Sequence, residues 1–271
     1  MKGIYCRLVK IEIIPVLNSR PEATINAFYN IPYAQALNPR RRFEEPKDPD
    51  PWYSVLEAGG PPVACPQISL SDEVKGVENC LILNIFTPVV PNSSFPALLY
   101  PVIVYIHGGA YYFLSSGEYG PRYLLDEDVV LVTINYRIGI PGFGSTNDYI
   151  LPGNLGLKDQ IKALKWIQRN IHFFSGDRKS VTLIGMSAGA ACVHFHYFSK
   201  LSRGLFHKGF MIGGTGTQVW SMQMHPVSIL KKISENISCP TNSSYDMVVC
   251  LERLSPRDLS LGIRTVQKVG F

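Results

Sequence analysis

The stretch from residue 180 to residue 191 combines the residue types that can make a serine nucleophilic. Residues 181–184 are mostly apolar and predict a buried strand, and residues 185–189 read Gly-Met-Ser-Ala-Gly. The small residues that follow predict a helix. A serine on a sharp turn between a strand and a helix projects its hydroxyl where a substrate can reach it. We therefore predict that Ser187 is a catalytic nucleophile, with a chance match in a glycine-rich turn as the alternative.

A second glycine-rich loop could supply the other half of this chemistry. Residues 101–106 form an apolar, β-branched run that leads directly into a His-Gly-Gly-Ala loop at 107–110. Such loops place backbone N–H groups around a substrate oxygen, and glycine allows the close approach because it has no Cβ. We predict an oxyanion hole made by the N–H groups of Gly108, Gly109 and Ala188. A plain turn after a strand is the alternative, and the serine motif downstream makes it less favoured.

These two motifs need a sheet that holds them side by side. Residues 129–136 predict a third strand, and residues 157–171 carry apolar side chains three and four positions apart, which predicts an amphipathic helix. Asn154 is the expected N-cap of that helix. Further helices are predicted over 226–237 and 245–254. This alternation predicts an α/β fold: a mostly parallel sheet with helices on both faces, and both motifs at the carboxyl ends of strands.

Composition and charge exclude several other classes of protein. The chain has 271 residues, 46% of them hydrophobic, which is enough for a large core. Its net charge of +5 is spread thinly, and Arg40-Arg41-Arg42 lacks a nucleic-acid-binding motif, so we expect no nucleic-acid partner. The longest apolar run, residues 95–106, is too short for a transmembrane segment. We expect no metal and no cofactor, because the sequence has no clustered set of His and Cys ligands.

Six cysteines are present, and four of them form two pairs that are close in sequence. Cys65 with Cys80, and Cys239 with Cys250, would each close a small loop, worth on the order of 3 kcal/mol if oxidised. Cys192 lies among small and aromatic residues on a predicted helix. We expect it to be a buried structural thiol and not a nucleophile.

Three N-glycosylation sequons favour a secreted chain. They begin at Asn92, Asn236 and Asn242, and each lies in a polar, turn-rich segment. Residues 1–12 make a poor signal peptide because charged residues interrupt the apolar run. The expected location is nevertheless outside the cell or in the lumen of the secretory pathway.

Several motifs together resemble the type-B carboxylesterases, a family that includes cholinesterases and insect juvenile hormone esterases. The resemblance covers residues 28–271, with residues 1–27 as a poorly defined N-terminal segment. It implies an α/β-hydrolase fold, of which this chain matches the N-terminal half. The motifs, in chain order, are Ile-Pro-Tyr-Ala at 31–34, Glu-Asn-Cys-Leu-Ile-Leu-Asn at 78–84, Gly-Asn-Leu-Gly-Leu-Lys-Asp-Gln at 153–160 and Trp-Ile-Gln-Arg-Asn-Ile at 166–171.

The resemblance also implies specific pairings and one departure. It implies disulfides at both cysteine pairs named above. It implies structural ion pairs between Arg42 and Glu78 and between Arg137 and Asp159. Met186, beside the serine, departs from the family, which commonly has glutamate there, so the local electrostatics should differ.

The acid and histidine of a catalytic triad are missing from the matched region. In the family they follow the serine by more than a hundred residues, and 84 residues follow Ser187 here. His194 and His196 lie on the helix behind the serine, and we expect packing or surface roles for them. His207 matches a structural Phe-His-Lys turn, and His225 is expected at the surface. We therefore expect a C-terminally truncated carboxylic ester hydrolase with little or no activity alone.

Two functional hypotheses remain. The first is an incomplete copy or fragment of a serine carboxylic ester hydrolase that acts on a small lipophilic ester. Aromatic residues 111–113 suggest an apolar pocket wall, and core packing explains them equally well. The second is a non-catalytic, adhesion-type relative of the same fold. Retention of Ser187 and of the loop at 107–109 favours the first. The protein partner, if there is one, is unknown.

Overall fold

The structure is a computed structural model that describes residues 9–10, 12–15, 24–69, 73–90 and 98–264. The strands are β1 (Val9–Lys10), β2 (Glu12–Pro15), β3 (Thr24–Pro32), β4 (Leu56–Glu57), β5 (Gln67–Ile68), β6 (Val74–Lys75), β7 (Ile82–Thr87), β8 (Tyr100–Ile106), β9 (Val130–Ile134), β10 (Gly176–Met186) and β11 (Lys208–Ile212). The α-helices are α1 (Gly139–Phe143), α2 (Leu155–Asn170), α3 (Ala188–Phe198), α4 (Pro226–Asn236), α5 (Ser244–Arg253) and α6 (Pro256–Gly262). Short 3-10 helices lie at Pro39–Arg41, Ser116–Glu118, Leu124–Asp126, Ile171–Phe174 and Lys200–Ser202.

Seven of the described strands form one sheet in the order β11-β10-β8-β9-β7-β3-β2. Strands β8 to β11 run parallel to one another, whereas β7, β3 and β2 are joined by antiparallel pairings. The predicted α/β class is therefore confirmed. Strand β3 extends across residue 28, where the sequence divided an N-terminal segment from the main domain, and β2 pairs with it at the sheet edge.

The central strands are buried on both faces, and their side chains separate into two core clusters with the period of two that a strand imposes. On β8, Val102, Val104 and Ile106 point to the cluster that also contains α2 and α3. The intervening Ile103 and Tyr105 point to the opposite cluster. Continuous apolar strands of this type are what a parallel sheet covered on both sides requires.

Helix α2 has the apolar face that its sequence predicts. Its side chains at 161, 164 and 167 are buried, and the 3-10 helix that follows buries Ile171. The prediction for Asn154 is wrong in one respect: it occupies the N-cap position, but its side chain makes no capping hydrogen bond. Its backbone is left-handed, with φ of 57° and ψ of 25°, whereas a capping side chain needs an extended backbone.

Two buried arginines form the ion pairs that the resemblance implied, and their other hydrogen bonds connect the segment before β4 to α2 and α5. The Arg137 guanidinium binds both carboxylate oxygens of Asp159 at 2.7 and 2.8 Å, and its remaining Nη1 donates to the carbonyls of Arg42 and Glu44. Arg42 pairs with Glu78 and donates to the carbonyl of Leu251 and to two others at the end of α5. Both predicted ion pairs are thus confirmed, and both arginines are 2% exposed.

Both predicted disulfides are present. Cys65–Cys80 lies beside the main core, and Cys239–Cys250 joins the end of α4 to α5 within a separate cluster that α4, α5 and α6 form against α1. Cys192 is a buried free thiol, as expected, and burial raises its pKa to about 12.

Replacing Asp159 should show how strongly the fold depends on its buried pair. We expect Asp159→Asn to lower the free energy of unfolding by about 3–5 kcal/mol, because Arg137 would stay buried without its counter-charge. Glu45→Gln is the matched control: Glu45 is 70% exposed and pairs with Lys158, so its loss should be below about 1 kcal/mol. Urea unfolding followed by circular dichroism measures both. Equal losses would contradict the prediction.

Candidate active site

Ser187 occupies the one-residue turn between β10 and α3. Its backbone has φ of 54° and ψ of −120°, a conformation that side-chain-bearing residues rarely adopt. The Ser187 N–H donates to the carbonyl of Ile212 at 2.8 Å, and its carbonyl accepts from the N–H of Ala191 at 3.1 Å. The turn is therefore held by β11 on one side and by the first turn of α3 on the other. The residue itself is half-buried, so solvent reaches it.

The glycines on either side of Ser187 are required by close backbone packing. A Cβ on Gly189 would lie 2.2 Å from the carbonyl oxygen of Ile106 and 2.7 Å from that of His107. A Cβ on Gly185 would lie 2.2 Å from the carbonyl oxygen of Gly189. All three distances are far inside van der Waals contact, so only glycine fits at these two positions. The end of β8, the end of β10 and the start of α3 consequently meet at backbone contact distance.

The loop at 107–110 lies directly against the serine turn. A Cβ placed on Gly108 would be 3.2 Å from the Cβ of Ser187 and 2.5 Å from the carbonyl oxygen of Met186. Gly109 has φ of +92°, and its carbonyl accepts from the N–H groups of Tyr112 and Phe113. These hydrogen bonds turn the carbonyl of Gly109 toward the loop that follows it.

The three N–H groups predicted to form an oxyanion hole have no acceptor among the described residues. Within the described ranges, the N–H groups of Gly108, Gly109 and Ala188 donate no hydrogen bond. Ala188 is the first residue of α3, an eleven-residue helix, where N–H groups have no partner inside the helix and the helix dipole favours negative charge. The arrangement can therefore stabilise an oxyanion beside Ser187.

His107 supports the glycine loop and stays neutral. Its ring stacks on Tyr136 with 4.4 Å between ring centroids, and the Tyr136 hydroxyl donates to the carbonyl of His107 at 2.7 Å. The His107 Nδ1 donates to the carbonyl of Gly108 at 2.9 Å. Burial lowers the pKa of His107 to about 4, so it carries no charge near pH 7. Tyr136 is a support that the sequence did not reveal, since it lies 29 positions from His107.

Met186 replaces the expected glutamate with an apolar contact. Its sulfur accepts a weak hydrogen bond from the Tyr119 hydroxyl at 3.7 Å, and it packs in the cluster that contains Tyr105. The Tyr105 and Tyr119 rings lie 4.5 Å apart between centroids. This side of the serine turn is therefore lined by a thioether and aromatic rings.

The aromatic residues at 111–113, which were predicted to form a pocket wall, pack against several different parts of the protein. Tyr111 packs on Phe143, with ring centroids 4.9 Å apart, and its hydroxyl donates to the carbonyl of Ser221 at 3.1 Å. Tyr112 packs against the cluster of α4, α5 and α6. All three aromatic residues at 111–113 are half-buried. Packing accounts for much of their surface.

Three of the four histidines that follow Ser187 hydrogen-bond to groups other than the serine. His194 Nδ1 accepts from the N–H of Gly216 at 3.0 Å, and His207 Nδ1 accepts from the N–H of Val181 at 3.1 Å. His196 is buried between two polar side chains: its Nε2 lies 2.8 Å from Gln160 Oε1, and its Nδ1 lies 2.8 Å from Ser202 Oγ. The packing role expected for His196 is what its contacts show. Its partner on α2 was missed because no local pattern signals a contact across 36 residues.

Comparison with known proteins agrees with this geometry. The carboxylesterase family model matches residues 16–269. Esterase FE4 of Myzus persicae is 47% identical over 230 residues, which cover 84% of this chain and 41% of that protein. Juvenile hormone esterase of Tribolium castaneum is 36% identical over 251 residues, 89% of this chain and 42% of that protein. A crystal structure of juvenile hormone esterase from Manduca sexta, with OTFP covalently attached, superposes with a TM-score of 0.86 and 30% identity, covering 96% of this chain and 52% of that chain.

A serine turn and a glycine loop at adjacent strand ends, in this sheet order, define an α/β-hydrolase. The chain belongs to the carboxylesterase family. It spans less than half the length of the curated relatives named above. A membrane-spanning helix is not found in the part of the chain that the structure describes.

Substitution of Gly189 should test the close packing around the serine turn. We expect Gly189→Ala to lower the free energy of unfolding by at least about 1–3 kcal/mol, because the new Cβ would overlap the carbonyls that end β8. Gly120→Ala is the control, since nothing lies within 4 Å of a Cβ at that exposed position. Thermal unfolding compares the two. A Gly189→Ala protein as stable as the control would refute the packing argument.

The buried His196 should make stability depend on pH. Burial lowers its pKa to about 4, whereas an unfolded histidine titrates near 6.5, so the unfolded state binds more protons between these values. Stability should therefore fall as pH falls from about 6.5 to 4. His196→Gln should reduce that slope by up to about 1.4 kcal/mol per pH unit.

Urea unfolding at a series of pH values measures this slope. His225→Gln is the control, because the ring of His225 is exposed in the folded state. An unchanged slope in His196→Gln, or an equal change in the control, would contradict the assignment.

Proposed function

We propose that this chain provides the nucleophile and the oxyanion hole of a serine carboxylic ester hydrolase. The observation that carries the proposal is the contact between the two loops: a Cβ on Gly108 would lie 3.2 Å from the Cβ of Ser187. Unpartnered N–H groups and a serine hydroxyl therefore converge on one point at the carboxyl ends of β8 and β10. The esterase and lipase names of the relatives support the same activity.

The proposed reaction is acyl transfer in two steps. Ser187 Oγ loses its proton to a general base as it attacks the ester carbonyl carbon, and the carbonyl oxygen becomes an oxyanion. The N–H groups of Gly108, Gly109 and Ala188 stabilise that charge. Collapse of the tetrahedral intermediate breaks the bond to the alcohol, which leaves with a proton. Water then attacks the acyl-enzyme and releases the acid.

A general base paired with Ser187 is not found among the side chains that the structure describes. In the described part of the chain, no side chain hydrogen-bonds to Ser187 Oγ, and His107, His194, His196 and His207 all bond to other groups. A serine hydroxyl without a base stays protonated and is weakly nucleophilic. The 271-residue chain alone is therefore expected to hydrolyse esters very slowly.

A lipophilic ester is the substrate class that the surroundings of Ser187 favour. Met186 and Tyr119 make one side of the site apolar. The half-buried aromatic residues at 111–113 add apolar surface after the oxyanion loop. Bile salt-activated lipase and juvenile hormone esterase are among the relatives, and their names agree with such substrates.

Secretion and glycosylation are part of the proposal. Two disulfides suit an oxidising compartment. Asn236 and Asn242 are exposed, so a glycan can be attached at either without disturbing the core. Asn92 lies outside the described residues.

Labelling with a fluorophosphonate tests the proposed nucleophile. In the protein isolated from its natural source, we expect a single adduct that peptide mass spectrometry places on Ser187, because the oxyanion hole also stabilises the phosphonyl oxygen. The recombinant 271-residue chain should label at least about tenfold more slowly, since no described side chain is bonded to Ser187 as a base. Ser187→Ala is the control and should not label.

Two results would overturn the proposal. Absence of an adduct on Ser187 in the natural protein would favour a non-catalytic, adhesion-type role. Rapid, Ser187-dependent turnover of a nitrophenyl ester by the 271-residue chain would show that the base lies within it.

A further inference from the structure

A basic groove lies well apart in the fold from the Ser187 site. It has a volume of about 1000 Å³ and is formed by α2, the start of β10 and the loop before β11. Neither Ser187 nor the loop at 107–110 lines it. Its walls carry five basic residues and one acidic residue, namely Lys162, Lys165, Arg169, Arg178, Lys179 and Asp48.

The basic residues are held in two rows by the fold. Lys162, Lys165 and Arg169 are spaced by three and four positions on α2, so they share one face of the helix. Arg178 and Lys179 are exposed at the start of β10. Gln168 of α2 joins the walls, because its Nε2 donates to the carbonyl of Arg178 at 3.0 Å and to that of Leu205 at 2.9 Å. The groove is therefore preformed.

The groove keeps a positive excess after its internal ion pairs are counted. Asp48 binds Lys162 at 2.7 Å and Arg169 at 3.2 Å. Five cations and one anion leave an excess of four positive charges on the lining. The side chains of Lys165, Arg178 and Lys179 form no ion pair with a carboxylate among the residues that the structure describes, although the Lys179 N–H donates to Asp177 Oδ1 at 2.8 Å. Concave walls of one charge sign focus the field on a bound anion.

The positive charge of the groove also affects the pKa of His172, one of the two histidines that line it. Burial and the positive charge of Arg178 both lower the pKa of His172. A lowered pKa disfavours the charged form of His172, so the positive excess is counted from lysine and arginine alone.

The aromatic residues of the groove indicate which class of polyanion the groove can bind. Tyr33 is fully buried and Trp166 is 6% exposed, and Phe173 packs against His172 with 4.0 Å between ring centroids. Tyr33 and Trp166 therefore offer no open ring for stacking a nucleic-acid base, and Phe173 is half-buried against His172 and the core. They also offer no protruding apolar side chain to insert into a lipid surface. Concave shape and isolated cations instead suit a linear chain that carries repeated anionic groups.

We propose that this groove binds a linear sulfated polysaccharide, with sulfate groups on Lys165, Arg178 and Lys179. Arginine and lysine bind sulfate oxygens by charge-assisted hydrogen bonds, with the guanidinium able to bind two oxygens at once. Disulfides in the chain are consistent with an oxidising, extracellular setting where such polymers occur. Binding here goes beyond ester hydrolysis and does not depend on it.

Titration of the 271-residue chain with a fluorescent heparin oligosaccharide tests this site. We expect Arg178→Glu combined with Lys179→Glu to raise the Kd at least about tenfold, because two attractive charges become repulsive. Lys231→Glu combined with Lys232→Glu is the matched control: it changes the net charge equally at two exposed adjacent positions on α4. The control should weaken binding less than about twofold.

Several outcomes would overturn the proposal. They are the absence of binding by the unaltered chain, equal weakening in both double variants, and groove-dependent binding of phosphatidylserine vesicles or single-stranded DNA that is as tight as that of the oligosaccharide. Circular dichroism establishes that both variants are folded. Because the measurement requires no catalysis, its failure is independent of the assignment of Ser187.

Discussion

Close backbone contact between β8, β10 and α3 is the constraint on which the site depends. Gly189 lies against the carbonyls of Ile106 and His107, and Gly108 lies against the serine turn. Any Cβ at these positions would separate the elements and move Ser187 away from the N–H groups that face it. The contact is possible because β8 and β10 are neighbours in the sheet. A short distance in space thus joins residues that are about eighty positions apart in the chain.

Buried ion pairs fix the elements that surround the contact between β8, β10 and α3. Arg137 follows β9, and Asp159 lies on α2, so their bidentate pair fixes the helix relative to the sheet. The same arginine reaches the carbonyl of Arg42, and Arg42 in turn binds carbonyls at the end of α5. Each buried guanidinium is paired with a carboxylate, because an unpaired charge in the core is costly. The pairs therefore allow one arrangement of these elements.

The surroundings of Ser187 and the basic groove beside α2 differ in charge for a physical reason. Around Ser187 the buried His107 is neutral, and the side that carries Met186 is apolar, so the backbone N–H groups dominate the local electrostatics. On the exposed side of α2, lysine and arginine side chains alternate with the apolar ones that face the core. The amphipathic pattern that buries α2 therefore also collects its cations in one groove.

Local sequence patterns determined the strands at 101–106 and 181–184, the amphipathic helix α2 and the two glycine motifs, because strand and helix periods and glycine requirements are properties of short segments. The extension of the second strand back to Gly176 was not predicted. The disulfides and both ion pairs were predicted by resemblance to a family. Only the tertiary structure decided the left-handed backbone of Asn154, the partners of His107 and His196, and the grouping of Lys165 with Arg178. Those depend on which distant elements become neighbours. Pairing across 29 or 36 residues, as for Tyr136 with His107 and Gln160 with His196, leaves no periodic trace in the chain.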